Sequence, residues 1–376
     1  MNRLYATAAM GTEPALRDEL RALRLRGVRA DRGGVHFEGS FSDAMTACFH
    51  SRVAQRVLLE MGSFEAPDED SLYDGVRNIG WTDHITPATS MAVRSSSQKS
   101  ALSHTQFLSQ LVKDAVVDQI RQRTGARPDV DRQDPDVQLS LHLAKDQATL
   151  YLDLAGSALF ARGYRLRHDG APLKETLAAA IVILSGWDRQ QPLCDPMCGS
   201  GTLAIEGALI ARNEAPGLSR KTPFGFERWA SFDESGKRSL REIRERAKAM
   251  VKSDELPDII ARDVAPSSVD LTRENAARAG VSIGVELADI SEPFPKSPIK
   301  LVVNPPYGER LSLTKEMLQS FGRSIAGAVK NGSYATVLSG SPELTDAVRA
   351  RPSKLVKIMN GDIECRLASY GERPGT

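Results

Sequence analysis

The apolar positions of this chain change period repeatedly, and each change marks an element. Val137-Gln138-Leu139-Ser140-Leu141-His142-Leu143 alternates strictly, which predicts a half-exposed strand. Ala148 to Leu154 reads as its partner across the turn Lys145-Asp146-Gln147. Upstream, Phe107, Leu108, Leu111, Val112, Ala115, Val116 and Ile120 recur at helical spacing and predict a long helix from His104 to Arg123. Met91 to Ser95 reads as a strand and Ser96 to Ser100 as a polar turn. Near the start, residues 3–10 predict a strand, Pro14 to Arg24 a helix opened by Thr12, and Val35 to Gly39 a short strand. A helix over 41–60 carries Met45, Cys48, Phe49, Val53 and Val57 toward one side. The first 60 residues thus form one small α+β unit, residues 66–70 a linker, and the next stretch a second unit.

From about Pro172 the pattern alternates between helical and strand segments, as in a parallel doubly wound sheet. Helix Lys174–Leu184 leads into the short strand Pro192-Leu193-Cys194-Asp195. Further strands are expected at Asp258–Ala261, Val285–Leu287, Leu301–Val303, Ser333–Leu338, Ser353–Ile358 and Ile363–Ser369. Asn360-Gly361 joins the last two as a hairpin, so the sheet closes with an antiparallel strand. Residues 212–255 read as an insertion, helical and highly charged near its end.

Composition narrows the classes. Hydrophobic residues at 41% and charged ones at 26% are ordinary for a globular protein. No apolar run is long enough for a membrane span, and Met1 to Thr7 lacks signal-peptide character, so the expected compartment is the cytoplasm. Cys48, Cys194, Cys198 and Cys365 are too scattered for a disulfide framework, and the Cys194/Cys198 pair lacks further ligands for a metal. His104 and His142 have no spaced partners and read as surface or structural. Residues 1–165 hold 20 Lys and Arg against 21 Asp and Glu, so nucleic-acid binding cannot rest on net charge. Basic residues do cluster at Arg17–Arg32, expected as a solvated face, and at Arg162, Arg165, Arg167 and His168.

Candidate chemistry gathers at strand ends. Asp195-Pro196-Met197-Cys198-Gly199-Ser200-Gly201-Thr202 follows one strand and opens a helix, and its glycines admit a ligand close to the backbone. It is neither the dinucleotide fingerprint nor a P-loop. Asp263, Asp289 with Ile290, and Asn304 follow the next three strands, placed for ribose hydroxyls, an adenine amino group and a target base. Asn304-Pro305-Pro306-Tyr307 forms a rigid shelf: neither proline has an N–H, so an amide oxygen and a bare carbonyl face outward beside an aromatic ring. A planar molecule with an exocyclic amino group suits that set.

Together these segments resemble class I S-adenosylmethionine-dependent methyltransferases, more closely the THUMP-containing ribosomal RNA guanine-N2 methyltransferases. Arg162-Gly163-Tyr164-Arg165, Ala171 to Ala179, the Asp195–Thr202 loop, Phe224 to Trp229, Glu274-Asn275-Ala276 and Val303 to Arg310 carry the resemblance. It implies an α/β fold: a Rossmann-like methyltransferase domain at 163–376, behind an α+β ferredoxin-like domain at 1–65 and a THUMP RNA-binding domain at 66–162. It implies S-adenosylmethionine as cofactor, held by Pro172, Asp195, Met197, Cys198, Gly199, Ser200, Gly201, Thr202, Asp263, Asp289, Ile290 and Asn304. Catalysis would fall to Asn304, Pro305, Pro306 and Tyr307, with no metal and no general base, on 23S ribosomal RNA as partner. Ala265 stands where the family often has a second acidic residue, which leaves Asp263 as the sole ribose ligand at that strand end. A transfer RNA guanine-N2 enzyme, an adenine-N6 enzyme and a non-catalytic RNA-binding factor are the other readings.

Overall fold

The computed structural model describes residues 1–165, 173–294, 298–306 and 314–371. Two sheets organise them. The first takes strands β1 (Asn2–Thr7), β2 (Arg26–Asp31), β3 (Gly34–Gly39), β4 (Arg56–Glu65), β5 (Ser90–Gln98), β6 (Asp129–Val130), β7 (Val137–Ala144) and β8 (Gln147–Asp153), in the order β2-β3-β1-β4-β8-β7-β5-β6. Helices α1 (Glu13–Ala22), α2 (Phe41–His50), α3 (Glu69–Arg77) and α4 (Thr105–Thr124) connect them.

The two small units expected here share this one sheet. The joint is β4, antiparallel to both β1 and β8. The alternation at Val137–Leu143 is β7 as expected, and Lys145-Asp146 makes the tight turn to β8 with both residues at positive φ. His104 caps α4 by accepting from the Phe107 N–H, and His142 meets Ser96 on β5.

The expected helix over 41–60 is a correction. It stops at His50, and Arg56–Glu65 is strand β4. Val57, Leu58 and Leu59 are buried there, and the Glu19 carboxylate accepts the backbone N–H groups of Arg52 and Val53, fixing the break. Tertiary pairing overrides a helical spacing. The linker is shorter than expected, because Asp68 already caps α3. The Ser96–Ser100 turn begins later, since β5 continues to Gln98. Arg26 and Arg29 lie on the exposed edge strand β2 rather than on a helix face.

The second half contains helices α5 (Glu175–Leu184), α6 (Thr202–Ala211), α7 (Glu234–Ala249), α8 (Pro266–Ala279), α9 (Lys315–Lys330) and α10 (Pro342–Ala347). Its strands are β9 (Leu193–Asp195), β10 (Ile259–Asp263), β11 (Gly284–Leu287), β12 (Lys300–Val303), β13 (Tyr334–Ser339), β14 (Lys354–Asn360) and β15 (Ile363–Tyr370). The order is β11-β10-β9-β12-β13-β15-β14. The first five are parallel, and β15 runs antiparallel between β13 and β14. Successive strands leave β9 first on one side and then on the other, so the order reverses beside β9, and its gap with β12 is the crevice where such sheets bind ligands.

The insertion turns back onto the first half. Leu240, Ile243 and Ala247 of α7, with Phe224, Phe226 and Trp229 before it, are buried in the same apolar cluster as Phe49 of α2. Phe226 meets Phe41 edge-on with ring centroids 5.8 Å apart.

Candidate active site

The loop after β9 is held by hydrogen bonds to its backbone from β10, from α8 and within the loop itself. The Cys198 N–H donates to the Arg262 carbonyl at 2.9 Å, and the Gly201 N–H to the Cys198 carbonyl at 2.8 Å. From α8, Thr272 donates its hydroxyl to the Gly199 carbonyl at 2.9 Å, and Asn275 its amide to the Ser200 carbonyl at 3.0 Å. Thr272 and Asn275 are three apart and share one helix face. The two glycines serve different ends. Gly201, at φ +80°, abuts Thr272, where a Cβ would meet Cγ2 at 2.7 Å. Gly199, at φ +53°, has no atom of the described residues within 4 Å of the place a Cβ would take. One glycine permits packing, and the other leaves space open.

Asp263 at the end of β10 ties the loop to its neighbour strand. Its Oδ2 accepts the Gly199 N–H at 2.9 Å and its Oδ1 the Ala265 N–H at 2.9 Å. An ionised carboxylate has about four acceptor directions, so each oxygen keeps capacity. Asp195 is 1% exposed. Burial pushes its carboxyl up to about 8, against the Met197 N–H and with the help of nearby Asp263. Asp289, past β11, is exposed; Ser291 donates both its N–H and its hydroxyl to Oδ1 and holds this acid below its ordinary range.

A solvent-open cleft of about 530 Å³ lies over these strand ends. Met197, Asp263, Asp289 and Ile290 line it together with Pro196, Val264 and Ala288. Met317, Ser320 and Phe321 of α9 complete the wall. Those three were missed in the sequence, as were the roles of Thr272 and Asn275; only a periodicity argument over α8 and α9 could have found them. Asp195, Cys198, Gly199, Ser200, Gly201, Thr202 and Asn304 do not line this cleft. Asn304 follows β12, which is hydrogen-bonded to β9, and among the described residues its buried Oδ1 has no hydrogen-bond partner. Pro305 and Pro306 follow it, whereas Pro172 and Tyr307 lie outside the described residues.

Residues 162–165 join the two halves. Arg162, 4% exposed, donates to the carbonyls of Leu159 and Arg52 at 2.7 Å each, and its Nε lies 3.7 Å from Glu206 of α6. Tyr164 donates its hydroxyl to the same carboxylate at 3.0 Å. Arg165 pairs with Glu175 at 2.9 Å and reaches the Thr202 hydroxyl at 3.4 Å. These arginines, which the sequence groups with a basic cluster, turn their side chains inward onto buried carboxylates.

The stretch 162–369 matches the family model described as an RMKL-like methyltransferase domain, more than half of the chain. The chain belongs to this methyltransferase family. A THUMP domain model matches residues 66–153, and an RlmL ferredoxin-like domain model matches 3–58. The chain is 42% identical to a ribosomal RNA large subunit methyltransferase K/L of Syntrophotalea carbinolica, covering 98% of the chain and 53% of that protein. It is 40% identical to the protein of the same name from Methylococcus capsulatus, over 98% and 51%. The chain thus spans about half the length of these relatives. Among solved structures, the methyltransferase SMU.472, crystallised with SAH, aligns with a TM-score of 0.87 at 29% identity, over 99% of this chain and 98% of that one.

Proposed function

We propose that this family member transfers a methyl group from S-adenosylmethionine to the exocyclic N2 of a guanine in large-subunit (23S) ribosomal RNA. The observation that carries the target chemistry is the buried, unpartnered Oδ1 of Asn304. A buried acceptor without a donor costs roughly 1–3 kcal/mol, and an arriving amino group relieves that cost. The names of the two relatives support the ribosomal substrate, and the bound SAH of the structural neighbour supports the cofactor.

The residues present fit that cofactor. Gly199 leaves its side of the loop open to the described residues, and Asp195 is a buried acid whose pKa is raised by burial. Asp195 would hold the cofactor's amino group, Asp263 its ribose hydroxyls, and Asp289 its adenine amino group. Met197 and Ile290 would cover the ring, and the backbone from Cys198 to Thr202 would lie along the methionine portion. When bound, the cofactor supplies an electrophilic methyl group on a sulfonium. The protein supplies orientation. Asn304 Oδ1 and the Pro305 carbonyl accept the two N–H groups of the target amine, and their dipoles point where positive charge develops. Tyr307 stacks on the base. Residues 1–65 and 66–162 bind the RNA, and 163–376 perform the chemistry.

The test is transfer of tritiated methyl to ribosomal RNA from a strain lacking the gene, followed by nucleoside mass spectrometry. Label in N2-methylguanosine of 23S RNA is expected. Label confined to transfer RNA or to N6-methyladenosine refutes the substrate, and no label refutes the activity.

A further inference from the structure

Arg262 is an anomaly on β10. Strand Ile259-Ile260-Ala261-Arg262-Asp263 is buried as far as Arg262, which is only 3% exposed. A buried guanidinium must be repaid by partners, and here all of them belong to one segment or its approach. Its Nη1 donates to the Pro293 carbonyl at 3.2 Å and to the Glu292 carbonyl at 3.5 Å. Its guanidinium carbon lies 5.7 Å from the ring centroid of Phe294. Glu286 Oε2 stands 3.5 Å from its Nε, and Glu292 Oε2 4.0 Å from its Nη2.

Glu292 carries the contact onward. Its other oxygen, Oε1, accepts the backbone N–H of Asp289 at 2.8 Å, while the Glu292 N–H donates to the Asp289 carbonyl at 3.0 Å. The turn 289–292 is closed on itself and tied by one arginine to the strand behind it. Ser291 then fixes the Asp289 carboxylate within that turn, through Oδ1 alone. At the same time the Arg262 carbonyl receives the Cys198 N–H of the glycine loop. A single buried residue is therefore tied both to the 289–292 turn that lines the cleft and to the glycine loop beside it.

We infer that Arg262 is a positioning residue that sets the cleft's preference for adenine, by holding the Asp289–Glu292 turn at the distance where Asp289 accepts an exocyclic amino group. The inference rests on the cofactor reading above and goes beyond it by assigning the ring's recognition to a residue that does not line the cleft. Hypoxanthine differs from adenine by a carbonyl in place of the amino group, so it turns a donor toward Asp289 into an acceptor.

The experiment measures calorimetric affinity for S-adenosylhomocysteine and for S-inosylhomocysteine, with the thermal midpoint recorded for every protein. The wild type is expected to prefer the adenosyl compound by tenfold or more. R262M, which keeps an unbranched apolar stem and loses the guanidinium, should weaken the adenosyl compound at least tenfold and the inosyl compound little, bringing the ratio toward one. E292A, a partly solvated change whose fold is not at risk, should shift the ratio in the same direction by a smaller factor. Equal losses for both ligands would reduce Arg262 to a merely structural role, and an unchanged ratio in E292A overturns the inference even where R262M does not fold. A wild type that binds neither ligand sinks the cofactor reading, and this inference with it. A wild type that binds both equally leaves the cofactor standing and refutes adenine selection.

Discussion

The glycine loop after β9 and the shelf after β12 lie on neighbouring strands and are built in opposite ways. In the loop, the carbonyls of Cys198, Gly199 and Ser200 accept from Gly201, Thr272 and Asn275, and the Gly199 N–H is taken by Asp263. At the shelf, the Asn304 amide oxygen is buried and has no partner among the described residues. A segment whose polar groups are internally satisfied keeps its shape with or without a ligand. A segment left unsatisfied stores a preference for whatever brings the missing donor. The first suits a cofactor that must be held in one pose, and the second a base that must be selected.

Breaking the loop should do the most damage. Gly199→Val puts a β-branched side chain at φ +53° and into open space, and it should abolish S-adenosylhomocysteine binding, a loss of roughly a hundredfold or more. Calorimetry on the folded variant decides it; unchanged affinity would sink the loop as a cofactor site. Breaking the shelf should leave that affinity intact and strike the chemical step. Asn304→Ala should lower the single-turnover methylation rate by about 10²–10³-fold, and full activity would end the reading of Asn304 as the orienting group.

A milder change sharpens the contrast. Thr272→Val keeps shape and removes the donor to the Gly199 carbonyl. Losing a donor to a part-buried acceptor costs roughly 1–3 kcal/mol, so cofactor affinity should fall about tenfold with little effect on the rate at saturation. The reverse pattern, a lower rate at unchanged affinity, would mean that loop and shelf do not divide the work as described.

Asp195 predicts a pH signature. Its carboxyl has an ordinary value of 3.8 and is pushed up to about 8 by burial. An acid raised on folding contributes stability below its unfolded value and loses that contribution as pH climbs to the folded value. Asp195→Asn should therefore gain on the wild type between about pH 4 and pH 8 and hold a constant lead above that. Thermal midpoints across that range check it, and a pH-independent difference contradicts the raised value. The smallest effect is expected at Tyr307, read from the sequence alone. Tyr307→Phe keeps the stacking ring and should stay within a few-fold of wild type, whereas Tyr307→Ala forfeits roughly 1–3 kcal/mol of stacking.

Much of this was legible in the sequence, for definite reasons. The strand ends at Asp195, Asp263, Asp289 and Asn304 announce themselves because short apolar runs stop abruptly at polar residues, and the hairpin at Gly361 by its turn chemistry. What failed was long-range. Residues 41–60 read as one helix, yet sheet pairing with β1 and β8 makes the stretch from Arg56 a strand. Arg162 and Arg165 read as part of a basic cluster until their buried acidic partners on α6 and α5 are seen. The cleft's far wall comes from α9, which no motif marks.

The buried seam at 162–165 bears on how such a protein can be taken apart. A cut near residue 170, which the motif boundary invites, removes Arg162, Tyr164 and Arg165 from the catalytic half and leaves the Glu206 and Glu175 carboxylates without these cations and this hydroxyl. It also bares the apolar face that α7 and Phe224 to Trp229 turn toward the first half. The transplantable unit is therefore not the segment that holds the motifs. Any chimera that exchanges the first half for another must bring along a matching α2 surface for the insertion and an arginine to meet Glu206, so the two halves are expected to change partners only as a matched pair.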